Sequence, residues 1–176
     1  MNPPDRSQRR KLIVVGNYQF GRAVGAVLFK RNVLIECSRK TGRIRHIYLR
    51  GKLIATLRPK DGYLALTPAG ASVILDNVKQ APNLVVVDST VGDAIRGGGD
   101  IFAKHVVRAD RSLRPGEEAI VIDEQGGLLG VGSAVLSGRE MTSFKRGVAV
   151  NLRRGIDEAG SEGAPVRTGK NLESDE

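Results

Sequence analysis

The sequence predicts an α+β fold in two parts, a small N-terminal α+β domain with an antiparallel sheet and then a β-rich C-terminal unit. Three observations carry this reading. Short apolar runs alternate with turn signals such as Thr41-Gly42, Arg50-Gly51, Asp61-Gly62 and Gly126-Gly127, the pattern of hairpin-connected strands. Helical stretches stand before and after the first four of these runs, so helices are segregated from strands. The 176 residues suit one medium domain or two small ones, and Asp76 to Asn83, with Pro82, reads as a boundary.

Residues 1–11 are rich in Pro and Arg, lack apolar period, and are expected to form a flexible basic arm. Apolar positions at Phe20, Val24, Val27 and Leu28 follow helical spacing and predict a helix over 17–29. Gly21 and Gly25 inside it each cost about 1 kcal/mol relative to alanine, which argues for close backbone packing there. Strands are expected at 33–36, 44–49, 52–58 and 63–66. Thr67 then caps a helix with Pro68 in its first turn. In the second half, Leu84-Val85-Val86-Val87 is a strand, and Thr90 with Asp93 opens a short helix that ends at Gly97-Gly98-Gly99. Further strands are expected at about 101–109, 118–123, 128–136 and 147–153. Residues 157–176 are acidic and glycine-rich and are expected to be disordered.

Charge is distributed unevenly. The chain carries +9 overall with a pI near 10.1, but residues 1–60 alone hold fifteen Lys or Arg against Asp5 and Glu36, a net of +13. A field of that strength in sixty residues points to a polyanionic partner, nucleic acid above all. The single Cys37 excludes an internal disulfide and a thiolate-cluster zinc site, and is expected to be a buried filler. No apolar run approaches a membrane span, and the polar start lacks a secretion signal. A cytoplasmic protein without membrane contact is expected, and no cofactor.

The run from Leu84 through Ile156 resembles the PUA domain, an RNA-binding module found in pseudouridine synthases and archaeosine transglycosylases. The resemblance rests on Phe102 to Val106 and Leu136 to Gly155, which look like the end of archaeal tRNA-guanine transglycosylases. The N-terminal half is similar to the region that precedes PUA in those enzymes, through Tyr18-Gln19-Phe20-Gly21, Lys40 to Arg45, and Ala55 to Pro59 with Asp61-Gly62. The resemblance implies a pre-PUA α+β domain over 12–79 and a PUA β-pseudobarrel over 80–156. It also implies a tRNA partner. The family's catalysis uses an aspartate nucleophile and a zinc site in a separate barrel, and one Cys with His46 and His105 supplies no such ligand set.

Candidate RNA-binding residues follow. Arg39, Lys40, Arg43 and Arg45 cluster on one turn and strand, and strand alternation puts Arg43 and Arg45 on one face with Ile44 on the other. Gly97, Gly98 and Gly99 can be a helix C-cap or a nest of backbone N–H groups for phosphate. Their place in the PUA pattern favours RNA and brings in Lys104 and His105. Lys145-Arg146 and Arg153-Arg154 flank the last strand beside glycines. By themselves they are ordinary exposed charge or phosphate contacts, and the family pattern favours contact. Tyr18, Tyr48 and Tyr63 are expected in the core. The resulting reading is a non-catalytic tRNA-binding protein that supports tRNA modification such as archaeosine formation, working with a separate catalytic transglycosylase subunit. The alternatives are a translation- or ribosome-associated factor and a small enzyme using His105 or the Gly97 loop.

Overall fold

The computed structural model describes residues 1–30 and 32–160. The chain opens with a helix earlier than its apolar spacing suggests. α1 spans Arg6–Phe20, started by a capping box in which Asp5 accepts from Gln8 N–H and the Gln8 side chain accepts from Asp5 N–H. The expected flexible arm over 1–11 is therefore half helix, and Asn2 pairs with Ile35 through two backbone hydrogen bonds. The Arg9 guanidinium holds the arm further by donating to the carbonyls of Phe29 and Lys30. Two helices also replace the single helix expected over 17–29. Gly21, at φ +88°, ends α1, and α2 (Val24–Leu28) begins after Ala23 at φ +72°. The two helices touch through glycine: a Cβ on Gly25 would lie 2.1 Å from the Ile13 carbonyl oxygen, so no other residue fits.

Four strands follow, β1 (Val33–Cys37), β2 (Ile44–Leu49), β3 (Lys52–Leu57) and β4 (Leu64–Leu66), all antiparallel in sequence order. Thr67 caps α3 (Pro68–Asn77) as the sequence suggests. The second sheet holds β5 (Leu84–Val87), β6 (Ile101–Phe102), β7 (Val106–Ala109), β8 (Glu118–Asp123), β9 (Leu128–Ala134) and β10 (Val148–Gly155). Their spatial order is β6-β10-β9-β8-β5-β7, with only β5 and β8 parallel. The two end strands, β6 and β7, are consecutive in the chain and joined by the 3₁₀ turn Ala103–His105, so the sheet curls into a nearly closed barrel. That turn splits the single strand expected over 101–109. The Ala103 N–H carries the pairing with β10 one residue further by bonding the Gly147 carbonyl, and the Val106 N–H then turns back to the Ala103 carbonyl. α4 (Gly92–Arg96) lies before β6. A further helix, α5 (Gly138–Ser143), starts at a Ser137–Glu140 capping box. The tail expected to be disordered over 157–176 instead begins with a 3₁₀ turn, Asp157–Gly160, where Glu158 accepts from Gly155 N–H; from 161 onward it lies outside the described residues.

The two sheets share their core. Val86, Ile120, Ile122 and Val131 of the barrel join Leu66, Ile74 and Ile54 of the first domain in one apolar cluster, while a second cluster fills the barrel itself. A buried ion pair reinforces the joint. Glu118, 3% exposed, takes the Arg153 guanidinium and accepts from Leu66 N–H at 2.8 Å. Arg153 in turn donates to the Leu66 carbonyl at 2.8 Å. Two charged side chains of the barrel thus grip the end of β4. Burial pushes the Glu118 carboxyl up, against the pull of Arg153 and the Leu66 amide.

Candidate nucleic-acid interface

Alternation in β2 buries Ile44 and exposes Arg43 and Arg45, as expected. The feature that organises these cations was not read from sequence. Ser38-Arg39-Lys40-Thr41-Gly42-Arg43 and Arg58-Pro59-Lys60-Asp61-Gly62-Tyr63 are sister loops with the same hydrogen bonds. In each, the first residue's N–H donates to the sixth residue's carbonyl (2.9 and 2.8 Å), and the glycine N–H donates back to the first carbonyl (2.8 and 2.9 Å). Both glycines have positive φ, +66° and +74°, which is why each loop needs glycine there. The loops join β1 to β2 and β3 to β4, so antiparallel order sets them at the same end of the sheet. Their lysines, Lys40 and Lys60, are both exposed.

Between these loops and α1 lies an open groove of about 890 Å³. Lys11, Lys40, Arg43, Arg45, Arg58 and Lys60 line it, against one carboxylate, Asp61, which is tied to Arg58 at 3.0 Å. Arg39 is exposed on the same loop outside that lining, and Lys52 stands at the other end of the sheet, paired with Leu49. The groove is a strongly positive channel open to a phosphate chain.

The barrel carries a different face. Phe102 pairs across the ladder with Val148, and the Ala103 amide bonds Gly147, so 102–104 lie alongside 145–148. Exposed Lys104, Lys145 and Arg146 therefore neighbour Phe102 and Phe144, which are 46% and 49% exposed. Aromatic rings of that size left in solvent beside cations fit base stacking or an apolar partner rather than the core. The phenylalanines were not singled out from sequence. Phe102 is odd only once β6 is known to be two residues long.

Three expected contacts turn inward. The Gly97, Gly98 and Gly99 N–H groups donate to the carbonyls of Asp93, Ile95 and Ala94, ending α4, so none is left for a phosphate nest. His105 Nδ1 lies 3.0 Å from Asp88 Oδ2, across the β5–β7 pair. Bonds from Thr90 and then His105 hold the Asp88 carboxyl below its usual range. Thr90 bonds the carboxylate rather than the imidazole, so the trio fixes a strand pair and does not form a nucleophile–base arrangement. Arg153 occupies a bulge between Leu152 and Arg154 that aims it at Glu118. Arg154 remains at the barrel surface, partly exposed. Tyr18 and Tyr63, expected in the core, are 75% and 37% exposed, and Tyr48 donates its hydroxyl to Glu36. Among the described residues no group of three or more His, Cys, Asp or Glu could hold a metal ion, and no helix is long and apolar enough to cross a membrane.

Residues 10–80 match the patch-forming domain C2 of tRNA-guanine transglycosylase, and residues 83–156 match the PUA domain. The chain is a C2–PUA protein. It is similar to tRNA-guanine(15) transglycosylases of archaea: 37% identical over 155 residues to that of Thermococcus kodakarensis, covering 88% of this chain and 26% of the relative. With the Thermoplasma volcanium protein it is 40% identical over 151 residues, covering 85% and 23%. It spans about a quarter of the length of these relatives. The likeness is to their C-terminal region, and the catalytic barrel has no counterpart in these 176 residues. The whole C2–PUA architecture also matches a hypothetical protein of Pyrococcus horikoshii (TM-score 0.72, 22% identity, covering 91% of this chain and 99% of that one). A conserved PUA domain protein of Thermoplasma acidophilum matches likewise (TM-score 0.64, 19% identity, covering 88% and 92%). At those identities the likeness is one of fold.

Proposed function

We propose that this C2–PUA protein binds tRNA in the cytoplasm without acting on it chemically, and that it supports a tRNA modification such as archaeosine formation. The observation that carries the reading is the groove between the sister loops, where six Lys or Arg side chains meet one carboxylate. A duplex phosphate chain laid there would release counterions, so binding should be strong at low salt and independent of sequence. The barrel face with Phe102, Phe144, Lys104, Lys145 and Arg146 adds a contact of another kind, able to take unstacked bases. The likeness to transglycosylases supports tRNA over other polyanions, and a catalytic transglycosylase subunit acting in trans would supply the chemistry. Tethered recognition would then raise the local concentration of tRNA at that subunit's active site.

The test has two arms. Purified protein should bind tRNA with an affinity that falls about a thousandfold between 50 and 200 mM salt if about six phosphates are neutralised. Added to an archaeal transglycosylase subunit, it should raise turnover at low tRNA and exchange no base alone. A flat salt titration would remove the phosphate-groove reading. Binding without stimulation of any transglycosylase would move the role towards a translation- or ribosome-associated factor.

A further inference from the structure

We propose that the cleft between the C2 and PUA domains is a pocket for an unpaired RNA base, stacked on Tyr18 where a strand runs on from the cationic groove. The inference rests on the RNA-binding reading above and adds a site to it. Tyr18 ends the exposed side of α1 while Gly16 and Phe20 beside it are buried. At 75% exposed, its ring contributes nothing to the buried core.

The ring is nevertheless held in place. Gln19 pairs its side-chain amide with the Leu64 backbone in both directions, accepting at 2.6 Å and donating at 3.1 Å. That pair of hydrogen bonds ties the end of α1 to the start of β4, and Tyr18 lies over Tyr63 with ring centroids 5.9 Å apart and planes within 25°. The Arg58 guanidinium lies 5.8 Å from the Tyr63 ring centre. Hydrogen bonding with Tyr18 pushes the Tyr63 phenol up. A pre-set, solvent-facing aromatic platform with a neighbouring cation is what a single-stranded base needs, since every base offers a π-face.

The cleft provides the room. It encloses about 560 Å³, within the about 300–1,000 Å³ range of small-ligand sites. Its far wall is the barrel's Arg114-Pro115-Gly116 turn, where Gly116 has φ +85° and a Cβ would meet nothing within 4 Å. Arg58 and Asp61 line both this cleft and the cationic groove. The two cavities therefore adjoin, and a strand leaving the groove reaches the tyrosines next.

The experiment compares one RNA duplex in three forms: blunt, with a 3′ single-stranded extension, and with a 5′ extension, each extension carrying 2-aminopurine. The duplex-binding groove is untouched by Tyr18→Ala, and an exposed side chain can be removed without loss of folding, which a thermal melt checks. One of the extensions should tighten binding to the wild-type chain about tenfold and quench the 2-aminopurine. Tyr18→Ala should abolish both effects, Tyr18→Phe should keep them, and the blunt duplex should bind all three proteins alike. Extended and blunt RNA binding equally to the wild type, or an undiminished gain in Tyr18→Ala, would overturn the base pocket and leave the groove standing. No binding of even the blunt duplex at low salt would overturn the RNA reading and this inference together.

Discussion

The C2 groove and the PUA face offer a ligand two different kinds of contact. In the groove, cations sit on two loops of identical construction and on the helix beside them, and no exposed aromatic is added except at the groove's end, where Tyr18 and Tyr63 stand. On the barrel, fewer cations are set around two exposed phenylalanines. The first arrangement works through long-range, salt-screened attraction that is indifferent to base identity. The second works through contact area and stacking, which salt hardly touches. On the function proposed above, one domain would gather a phosphate chain and the other would read unstacked bases. The division holds only while the joint between the domains is rigid.

That joint offers the largest test. Arg153→Ala would strand Glu118, buried and without its counter-charge, and should cost about 3–5 kcal/mol of unfolding free energy in urea denaturation. Adding Glu118→Gln to that variant should recover part of the loss, because the amide oxygen still accepts from Leu66 N–H while the buried charge is gone. Arg154→Ala, one residue away, should change stability by less than about 0.5 kcal/mol. Equal effects of the two arginines would mean the domains are not fastened here.

Next in size is the groove itself. Reversing Lys40, Arg43 and Arg45 to Glu should weaken tRNA binding about a hundredfold or more near 0.1 M salt, and lower the slope of log affinity against log salt by about 3. Stability should barely move, since all three side chains are exposed. Phe102→Ala with Phe144→Ala should act in the opposite way. Affinity should fall about tenfold, as for a lost base stack, with the salt slope unchanged. Measuring affinity at four salt concentrations separates the two behaviours. Parallel lines for the groove variant, or a changed slope for the phenylalanine variant, would erase the contrast.

Much of this architecture is legible in the sequence, and the misses have physical causes. The strands of both sheets, the Thr67 cap and the Arg43/Arg45 face follow from local rules, alternation and capping, that act within a few residues. α1 was missed over its first turns because residues 6–11 bury almost nothing. Its start is marked by the Asp5–Gln8 capping box rather than by apolar spacing, and that signal is present in the sequence. Arg153 and Arg154 look alike because the difference between them is a bulge and a carboxylate 35 residues away. Tyr18 was expected inside because aromatics usually are. Only the pairing of Gln19 with Leu64, across 45 residues, shows why it is held outside.

The smallest effect tests the glycine triplet, which separates the barrel's structural turns from its binding face. Gly98 takes φ +99°, and a Cβ there would come within 2.6 Å of a Glu158 carboxylate oxygen. Glu158 is a flexible side chain that can move, so the main cost of Gly98→Ala is the left-handed backbone, about 1 kcal/mol. The same variant should leave tRNA affinity unchanged, because the three amides of the triplet already end α4 and have nothing to give a phosphate. A phosphate nest would behave otherwise: the methyl group would block close approach of the backbone, and affinity would drop with little change in melting temperature. Melting temperature and affinity measured on one preparation of Gly98→Ala therefore decide between a helix cap and a nest, and the hydrogen bonds of residues 97–99 predict the cap.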